Sequence, residues 1–67
     1  MGFKGARRRA GLTVREAAKR FDVSLEAVYK WETGAYLPQG KRLPQIARIY
    51  GCTVEELLDN TEQERRG

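Results

Sequence analysis

The chain has 67 residues, a net charge of +4, a sequence pI of about 9.6, no histidine and one cysteine. A chain this short forms a single domain, and one cysteine excludes an internal disulfide framework. Without histidine or a second cysteine, ordinary zinc and redox sites lack ligands, so we expect no metal and no cofactor. No apolar run is long enough for a signal peptide or a membrane span, which predicts a cytoplasmic protein without a membrane partner.

An apolar face and a capping motif predict the first two helices. The face of a short first helix consists of Phe3, Ala6 and Ala10. Gly11 ends this helix, because glycine adopts the left-handed conformation of a helix C-terminus without strain. The second helix begins after Thr13, since threonine followed three residues later by Glu16 is typical of a capping box. The inward face of this helix is predicted to be Ala17, Ala18 and Phe21.

A sharp turn leads to the third helix. Asp22 stands in that turn, where aspartate can adopt a positive φ. Ser24 is predicted to cap the helix that follows. Val28 and Trp31 are three residues apart and therefore share its inward face, and the helix ends at Gly34.

The fourth helix follows a loop over residues 35–40 and begins near residues 41–43. Pro44 fits only its first turn, where the missing N–H costs nothing. The buried stripe of this helix is predicted to be Leu43, Ile46, Ala47 and Tyr50, with Gly51 at its end.

Thr53 and Glu56 form a second capping box, which opens a fifth helix. The residues that this helix buries are predicted to be Val54, Leu57 and Leu58. Strand signals are absent, so the fold class is all-α, with five short helices around one core. We expect the folded domain to span residues 1–58 and residues 59–67 to form a polar, frayed tail.

The stretch from Val14 to Glu32 combines two small residues, an aromatic residue, a sharp turn and two apolar residues on the next helix. This spacing is typical of a helix-turn-helix, in which the outer face of the third helix can enter a major groove. Over about residues 3–58 the chain resembles the phage repressor and Cro type of helix-turn-helix domain, the XRE family. The residues that carry the resemblance are Arg7, Gly11-Leu12-Thr13, Ala17-Ala18, Val23-Ser24, Val28, Trp31-Glu32, Gly34, Pro38, Leu43, Ala47, Gly51 and the run Thr53 to Leu58.

The resemblance implies a lambda-repressor-like fold and sequence-specific binding of double-stranded DNA by a transcriptional regulator, which we expect to be a repressor. It also implies a homodimer on a near-palindromic site, with half-sites about 34 Å apart. In this family the third helix reads bases, so the implied reading positions are Ser24, Leu25, Glu26, Ala27, Tyr29 and Lys30. By their chemistry, Lys30 can donate to guanine, Glu26 can accept from cytosine N4, and Leu25 can touch a thymine methyl. A helix-favouring charge for Glu26, a core contact for Leu25 and a phosphate or packing contact for Tyr29 are the alternatives.

Charge location supports a polyanionic partner. Residues 1–33 hold eight of the thirteen basic residues and four of the nine acidic ones, so the whole surplus lies there. Phosphate contacts are expected from the start of helix 2, from the loop and from the start of helix 4, namely Thr13, Val14, Arg15, Gly34, Ala35, Tyr36, Lys41 and Arg42. The basic residues stand near helix N-termini, where a bound phosphate would relieve unfavourable dipole interactions and meet free N–H groups. Simple solvation of these side chains is the alternative.

Several residues are expected to be structural. By resemblance, Arg7 and Glu32 form an ion pair that ties helix 1 to helix 3. Trp31 is expected in the core, and Cys52 is expected to be a buried, inert thiol. Tyr36 and Leu37 pack in the loop or form part of a dimer contact.

Catalysis is not expected, because neither Ser24 nor Cys52 has a histidine base, so we assign no catalytic residue. The alternative function is a protein-interaction module of the same fold, such as an antitoxin or a transcription adaptor. Its partner surface would be formed by Leu25, Tyr29, Tyr36 and Leu37.

Overall fold

The computed structural model describes residues 2–59. Five helices occupy this range: α1 (Gly2–Arg9), α2 (Val14–Phe21), α3 (Leu25–Thr33), α4 (Arg42–Tyr50) and α5 (Val54–Leu57). No strand occurs within the described range, and the predicted all-α class is confirmed. Apart from Asp59, the predicted polar tail lies outside the described residues, and none of the five helices is long and apolar enough to cross a membrane.

Side chains define where α2, α3 and α5 begin. The Thr13 hydroxyl accepts from the Glu16 N–H at 3.0 Å, while the Thr13 N–H donates to the Glu16 carboxylate at 2.8 Å. Ser24 caps α3 by accepting from the Ala27 N–H at 3.1 Å. The second capping box, at the start of α5, is formed in the same way by Thr53 and Glu56. These bonds satisfy N–H groups that have no partner inside a helix, and each such cap stabilises its helix by about 1 kcal/mol.

The turn between α2 and α3 depends on one residue with left-handed backbone geometry. Asp22 has φ 58° and ψ 49°, and it is the only non-glycine residue with positive φ among residues 2–59. Its N–H bonds to the carbonyls of Ala18 and Lys19, which ends α2. Aspartate tolerates this conformation better than most residues, as predicted, so α3 can leave at once in a new direction.

An aromatic cluster holds four helices together. The ring of Phe21 lies 5.9 Å from that of Trp31 and 5.4 Å from that of Tyr50, and Phe3 lies 6.5 Å from Trp31, measured between centroids. These tilted and edge-on arrangements suit the quadrupoles of the rings. Because the four rings come from α1, α2, α3 and α4, the cluster fixes the inner face of α3 against the rest of the domain. Two of the four core alanines, Ala6 and Ala17, are completely buried and let the helices approach closely.

Most of the predicted core is buried, and the errors lie at helix ends. Ala10 is exposed because α1 ends at Arg9 and the chain turns away through Ala10 and Gly11. Leu58 is 42% exposed because α5 has only four residues and ends before it, so Leu58 does not lie on the inward face of the helix. Leu43 and Val54 are half-buried against the core, whereas Pro38, which was not predicted to be buried, is buried.

An ion pair joins α1 to α3. The Arg7 guanidinium donates to both carboxylate oxygens of Glu32, through Nε at 2.6 Å and Nη2 at 3.3 Å. A third hydrogen bond, from Arg7 Nη1 to the carbonyl of Leu12 at 2.8 Å, also ties Arg7 to the segment that connects α1 and α2. The hydrogen bond to Glu32 raises the pKa of Arg7 further above its usual value, so the guanidinium stays charged. Arg7 therefore orients α3 from behind, and all three of these contacts lie within the domain.

Candidate nucleic-acid interface

The side of α3 that faces away from the core carries most of the predicted base-reading positions. Leu25 is 38% exposed and Tyr29 is 53% exposed, and Glu26 is also exposed. Val28 and Trp31, on the opposite side, are buried as predicted. A short rigid helix thus presents an apolar, an acidic and an aromatic side chain on one accessible face. Because Val28 and Trp31 occupy the inner face of α3, Leu25 lies outside the core.

Two of the predicted reading positions are less available for base contacts. Ala27 is half-buried and packs against the core, because it lies on the flank of α3 that approaches the domain. The Ala27 side chain is therefore only partly accessible to a ligand. Ser24 is exposed, but its hydroxyl already accepts the bond that caps α3. The accessible reading surface is thus concentrated on the residues from Leu25 to Lys30 that point outward.

Lys30 is held between two neighbours. Its ammonium lies 3.3 Å from a carboxylate oxygen of Glu26, one helical turn earlier, and 5.4 Å from the centre of the Tyr36 ring. Glutamate four residues before lysine is the favourable order for a helical ion pair, and an aromatic face attracts a cation. Sequence reasoning assigned roles to all three residues separately and missed this arrangement, although the spacing of Glu26 and Lys30 is a signal that could have indicated their pairing.

The start of α2 combines an occupied cap with free backbone donors. The Thr13 hydroxyl and the Glu16 N–H bond to each other, and the hydrogen bonds of Thr13 to the Glu16 carboxylate lower the pKa of that carboxyl. The N–H groups of Val14 and Arg15, at the first two positions of α2, form no hydrogen bond within residues 2–59. The Arg15 side chain is exposed beside them. This end of α2 therefore offers backbone donors and a cation to an anion.

The start of α4 differs from our expectation of free N–H groups. The Arg42 N–H donates to the carbonyl of Gln39 at 2.9 Å and the Leu43 N–H to that of Gly40 at 3.2 Å. Pro44, the third helical residue, has no N–H. No side chain caps α4, and its first turn has no acidic residue. An anion here would meet the cations Lys41 and Arg42 above a polar depression that Gln39 and Gln45 also line, and not a row of free backbone donors.

Arg42 also has a role inside the domain that the sequence did not indicate. Its Nη1 donates to the carbonyl of Phe21 at 2.9 Å, across 21 positions of sequence. Phe21 is the last residue of α2, where carbonyl groups lack helical partners and a positive charge is favourable. Arg42 therefore joins the start of α4 to the end of α2, just before the turn at Asp22. Its remaining guanidinium donors are not used within residues 2–59.

The loop after α3 brings the other predicted phosphate positions close to the reading helix. The N–H groups of Gly34 and Ala35 both donate to the carbonyl of Lys30, at 3.1 and 3.0 Å, and close α3. These two residues have therefore already used their backbone donors. Tyr36 is 52% exposed and Leu37 is 61% exposed, so the loop presents an aromatic and an apolar side chain beside the C-terminal end of α3.

Cys52 is half-buried, and thus more accessible than predicted. Burial raises the pKa of the Cys52 thiol, which keeps the sulfur protonated and weakly nucleophilic at neutral pH. No group of three or more potential metal ligands occurs among the described residues.

Comparison with known proteins places this geometry in a family. Residues 3–57 match the family described as "Helix-turn-helix". The chain is also 35% identical over 51 residues to the "HTH-type transcriptional activator BcrR" of Enterococcus faecalis. That match covers 76% of this chain and 25% of the relative, so the chain spans about a quarter of that protein. No solved structure matches the chain at a significant level.

The family match includes residues of all five helices, with α2, the turn at Asp22 and α3 complete. Domains of this family bind DNA and are used in transcription regulation, and they are not enzymes. The ends of the match coincide with the first and last buried residues of the core, Phe3 and Leu57. The chain belongs to the XRE family of helix-turn-helix proteins, and residues 3–57 are its DNA-binding domain.

Proposed function

We propose that this domain binds specific sequences of double-stranded DNA by inserting α3 into the major groove. The observation that carries the proposal is the division of α3 into two faces. Val28 and Trp31 fix the inner face to the core, while Leu25 and Tyr29 remain exposed on the outer one. A helix held in this way presents base-reading groups without first having to be ordered, and the major groove is wide enough to admit it.

The outer face offers three kinds of base contact. Leu25 can contact a thymine methyl, Glu26 can accept from cytosine N4, and Lys30 can donate to guanine O6 or N7. Tyr29 supplies a further contact to a base or a phosphate. Ser24 and Ala27 approach the groove closely but contribute less, because the hydroxyl of Ser24 caps α3 and Ala27 packs against the core.

Phosphates on the two sides of the groove would be held by different chemistry. At α2, the free N–H groups of Val14 and Arg15 and the positive end of the helix dipole favour an anion, with Thr13 beside them. At α4, Lys41 and the unused donors of Arg42 supply charge. The loop after α3 would add the Tyr36 hydroxyl, and Gly34 and Ala35 would bring the chain close to the DNA backbone.

A homodimer on a near-palindromic site is part of the proposal. One copy presents a single short reading helix, so tight and selective binding requires two copies with half-sites about 34 Å apart. A titration of protein into a selected duplex, combined with gel filtration, is expected to give two domains per tightly bound site. One domain per such site would contradict the dimer.

Repression of transcription remains a prediction from the sequence. The relative from Enterococcus faecalis is named an activator, and this chain spans only a quarter of its length. A reporter gene with the selected site placed over its promoter is expected to be less active when the domain is produced. Higher activity would assign the opposite direction of regulation and leave the mode of DNA binding unchanged.

Selection of bound duplexes from a random pool tests the reading helix. The unmodified domain is expected to enrich one sequence, and Lys30→Ala and Glu26→Ala are each expected to change the preferred base at one position. Lys4→Ala, which removes an exposed cation from α1, serves as the control and should enrich the same sequence as the unmodified domain. Identical preferences for all variants would show that α3 does not read bases.

A protein-interaction module is the second candidate, and one observation favours it. Leu25, Tyr29, Tyr36 and Leu37 are all large and exposed. The salt dependence of binding separates the two functions. A domain that contacts about 4–6 phosphates should lose DNA affinity with a log–log slope near −4 to −5. Capture of one protein partner, together with no shift of any duplex, would favour the interaction module.

A further inference from the structure

The charge of Lys30 is partly neutralised within the domain. Its ammonium lies 3.3 Å from the Glu26 carboxylate on one side and 5.4 Å from the Tyr36 ring centre on the other. The Lys30 side chain is 40% exposed and that of Glu26 is 74% exposed, so both groups can reach a ligand in the groove. The accessible face of α3 therefore carries a cation and its own counter-charge together.

This arrangement responds differently to two kinds of DNA. On a duplex that presents no cytosine within reach, the Glu26 carboxylate finds no donor and stays with Lys30. On a duplex with a cytosine in reach, the N4 amino group can donate to Glu26. Lys30 is then released from its carboxylate partner and becomes available to a guanine or a phosphate. A contact between Glu26 and a base is thus linked to the release of Lys30 from the Glu26 carboxylate.

We propose that Glu26 is a specificity-determining residue that acts through Lys30: it withholds the lysine charge from unrelated DNA and releases it on a site that satisfies the carboxylate. The inference rests on the proposed function, because it requires α3 in the major groove. Tyr36 supports the restraint by holding the ammonium from the loop side. Discrimination then comes as much from weak binding to wrong sequences as from strong binding to the right one.

A double-mutant cycle measures the linkage. Glu26→Gln is made in the unmodified domain and in a Lys30→Met background, and affinity is measured for the selected duplex and for an unrelated one. Glu26→Gln alone is expected to raise affinity for the unrelated duplex about fivefold at 0.1 M salt and to steepen its salt slope by about 0.9, since one more cation reaches the phosphates. The gain for the selected duplex should be smaller, so the ratio of the two affinities falls.

In the Lys30→Met background, the same Glu26→Gln change should alter affinity for the unrelated duplex less than about twofold, since no lysine remains to be released. Glu55→Gln is the matched control. Glu55 is an exposed carboxylate at the second position of α5, as Glu26 is at the second position of α3, and α5 packs on α1 and α4. This control removes the same charge without touching Lys30 and should leave the ratio of affinities unchanged.

The outcomes separate the two proposals. If Glu26→Gln raises affinity for the unrelated duplex equally with and without Lys30, the carboxylate acts by its own repulsion and the inference is wrong. An equal gain for both duplexes also overturns it. In both cases binding of the selected duplex by the unmodified domain would leave the proposed function intact. If the unmodified domain enriches and binds no duplex, the proposed function fails and the inference fails with it.

Discussion

The N-termini of α2 and α4 are alike in sequence, since each begins beside basic residues, but the structure gives them different chemistry. At α2, the capping box uses the donors of Thr13 and Glu16, and the N–H groups of Val14 and Arg15 have no hydrogen-bond partner among residues 2–59. At α4, a preceding turn occupies the first N–H groups, and Pro44 supplies none. The same sequence signal therefore predicts an anion site made by backbone donors in one place and by side-chain charge in the other.

The difference determines which substitutions should weaken DNA binding. Loss of a side chain at α2 leaves the backbone donors in place, whereas loss of a backbone N–H there would remove the proposed charge-assisted hydrogen bond to a phosphate. At α4 the side chains carry the charge, and the backbone offers few free N–H groups whose loss could weaken binding. Arg42 adds a second distinction, because it also donates to the carbonyl of Phe21 and so holds α4 to the end of α2.

The largest effect is expected from Val14→Pro, which removes the free N–H at the start of α2. Proline is favoured at the first helical position, and Thr13 has ψ 166°, which suits a residue before proline. The capping box uses other donors and should survive. A hydrogen bond to a charged group contributes about 1.5–3 kcal/mol, so affinity for the selected duplex should fall about tenfold or more. Fluorescence anisotropy with a labelled duplex measures this affinity.

Val54→Pro is the matched control for this change. Val54 is also half-buried, and it follows the threonine of the other capping box, with ψ 161° at Thr53. Both variants should lose a similar amount of packing and stability, but only Val14→Pro should weaken DNA binding. Equal losses of affinity would remove the distinction between α2 and the rest of the domain.

A smaller effect is expected from Lys41→Gln at α4. Loss of one phosphate contact should lower affinity about fivefold at 0.1 M salt and make the salt slope shallower by about 0.9. Lys4→Gln removes an equal charge from the exposed side of α1 and should leave the slope almost unchanged. If both changes reduce the slope equally, net charge and not the position of Lys41 accounts for the effect.

Arg42→Gln should lower stability as well as DNA affinity, because the carbonyl of Phe21 loses its donor. We expect the free energy of unfolding to fall by about 1 kcal/mol, measured by urea denaturation of the free domain. Lys41→Gln is the neighbouring control and should not destabilise, since a cation near a helix N-terminus opposes the dipole. A stability unchanged by Arg42→Gln would contradict the link between α4 and α2.

The smallest effect is a pH dependence confined to α2. Hydrogen bonds from Thr13 lower the pKa of the Glu16 carboxyl from its usual 4.5 in the folded domain. The ionised carboxylate therefore stabilises the fold above that value, and this contribution disappears as the pH falls from about 4.5 through the lowered folded pKa. The stability difference between the unmodified domain and Glu16→Gln should shrink over this range. A difference that stays constant with pH would show that the cap does not depend on the charge of Glu16.

Sequence reasoning recovered the fold because local signals agree with the packing. Both capping boxes, the cap at Ser24 and the left-handed turn at Asp22 depend on residues close in sequence, and each of them is present. The errors at Ala10 and Leu58 arose where a helix ends one residue earlier than its apolar pattern suggests. Helix ends depend on backbone geometry that the spacing of apolar residues does not specify.

The residues of the proposed interface follow from the sequence, but their contacts within the domain do not. The bond from Arg42 to the carbonyl of Phe21 spans 21 positions, and no local pattern indicates it. The N–H groups at the start of α4 were expected to be free because the preceding turn over Gln39 and Gly40 was not foreseen. The contact of Lys30 with Tyr36 likewise depends on the path of the loop after α3. Such contacts require the tertiary structure.

NMR contacts between the domain and its selected duplex would show whether the outer face of α3 lies in the major groove. We expect nuclear Overhauser effects from the Leu25 methyl groups to cytosine H5 or thymine methyl protons, which line the major groove, and none from the buried indole of Trp31. Effects from Leu25 to adenine H2 protons, which lie in the minor groove, would contradict the account. Contacts to DNA confined to α5 would contradict it as well.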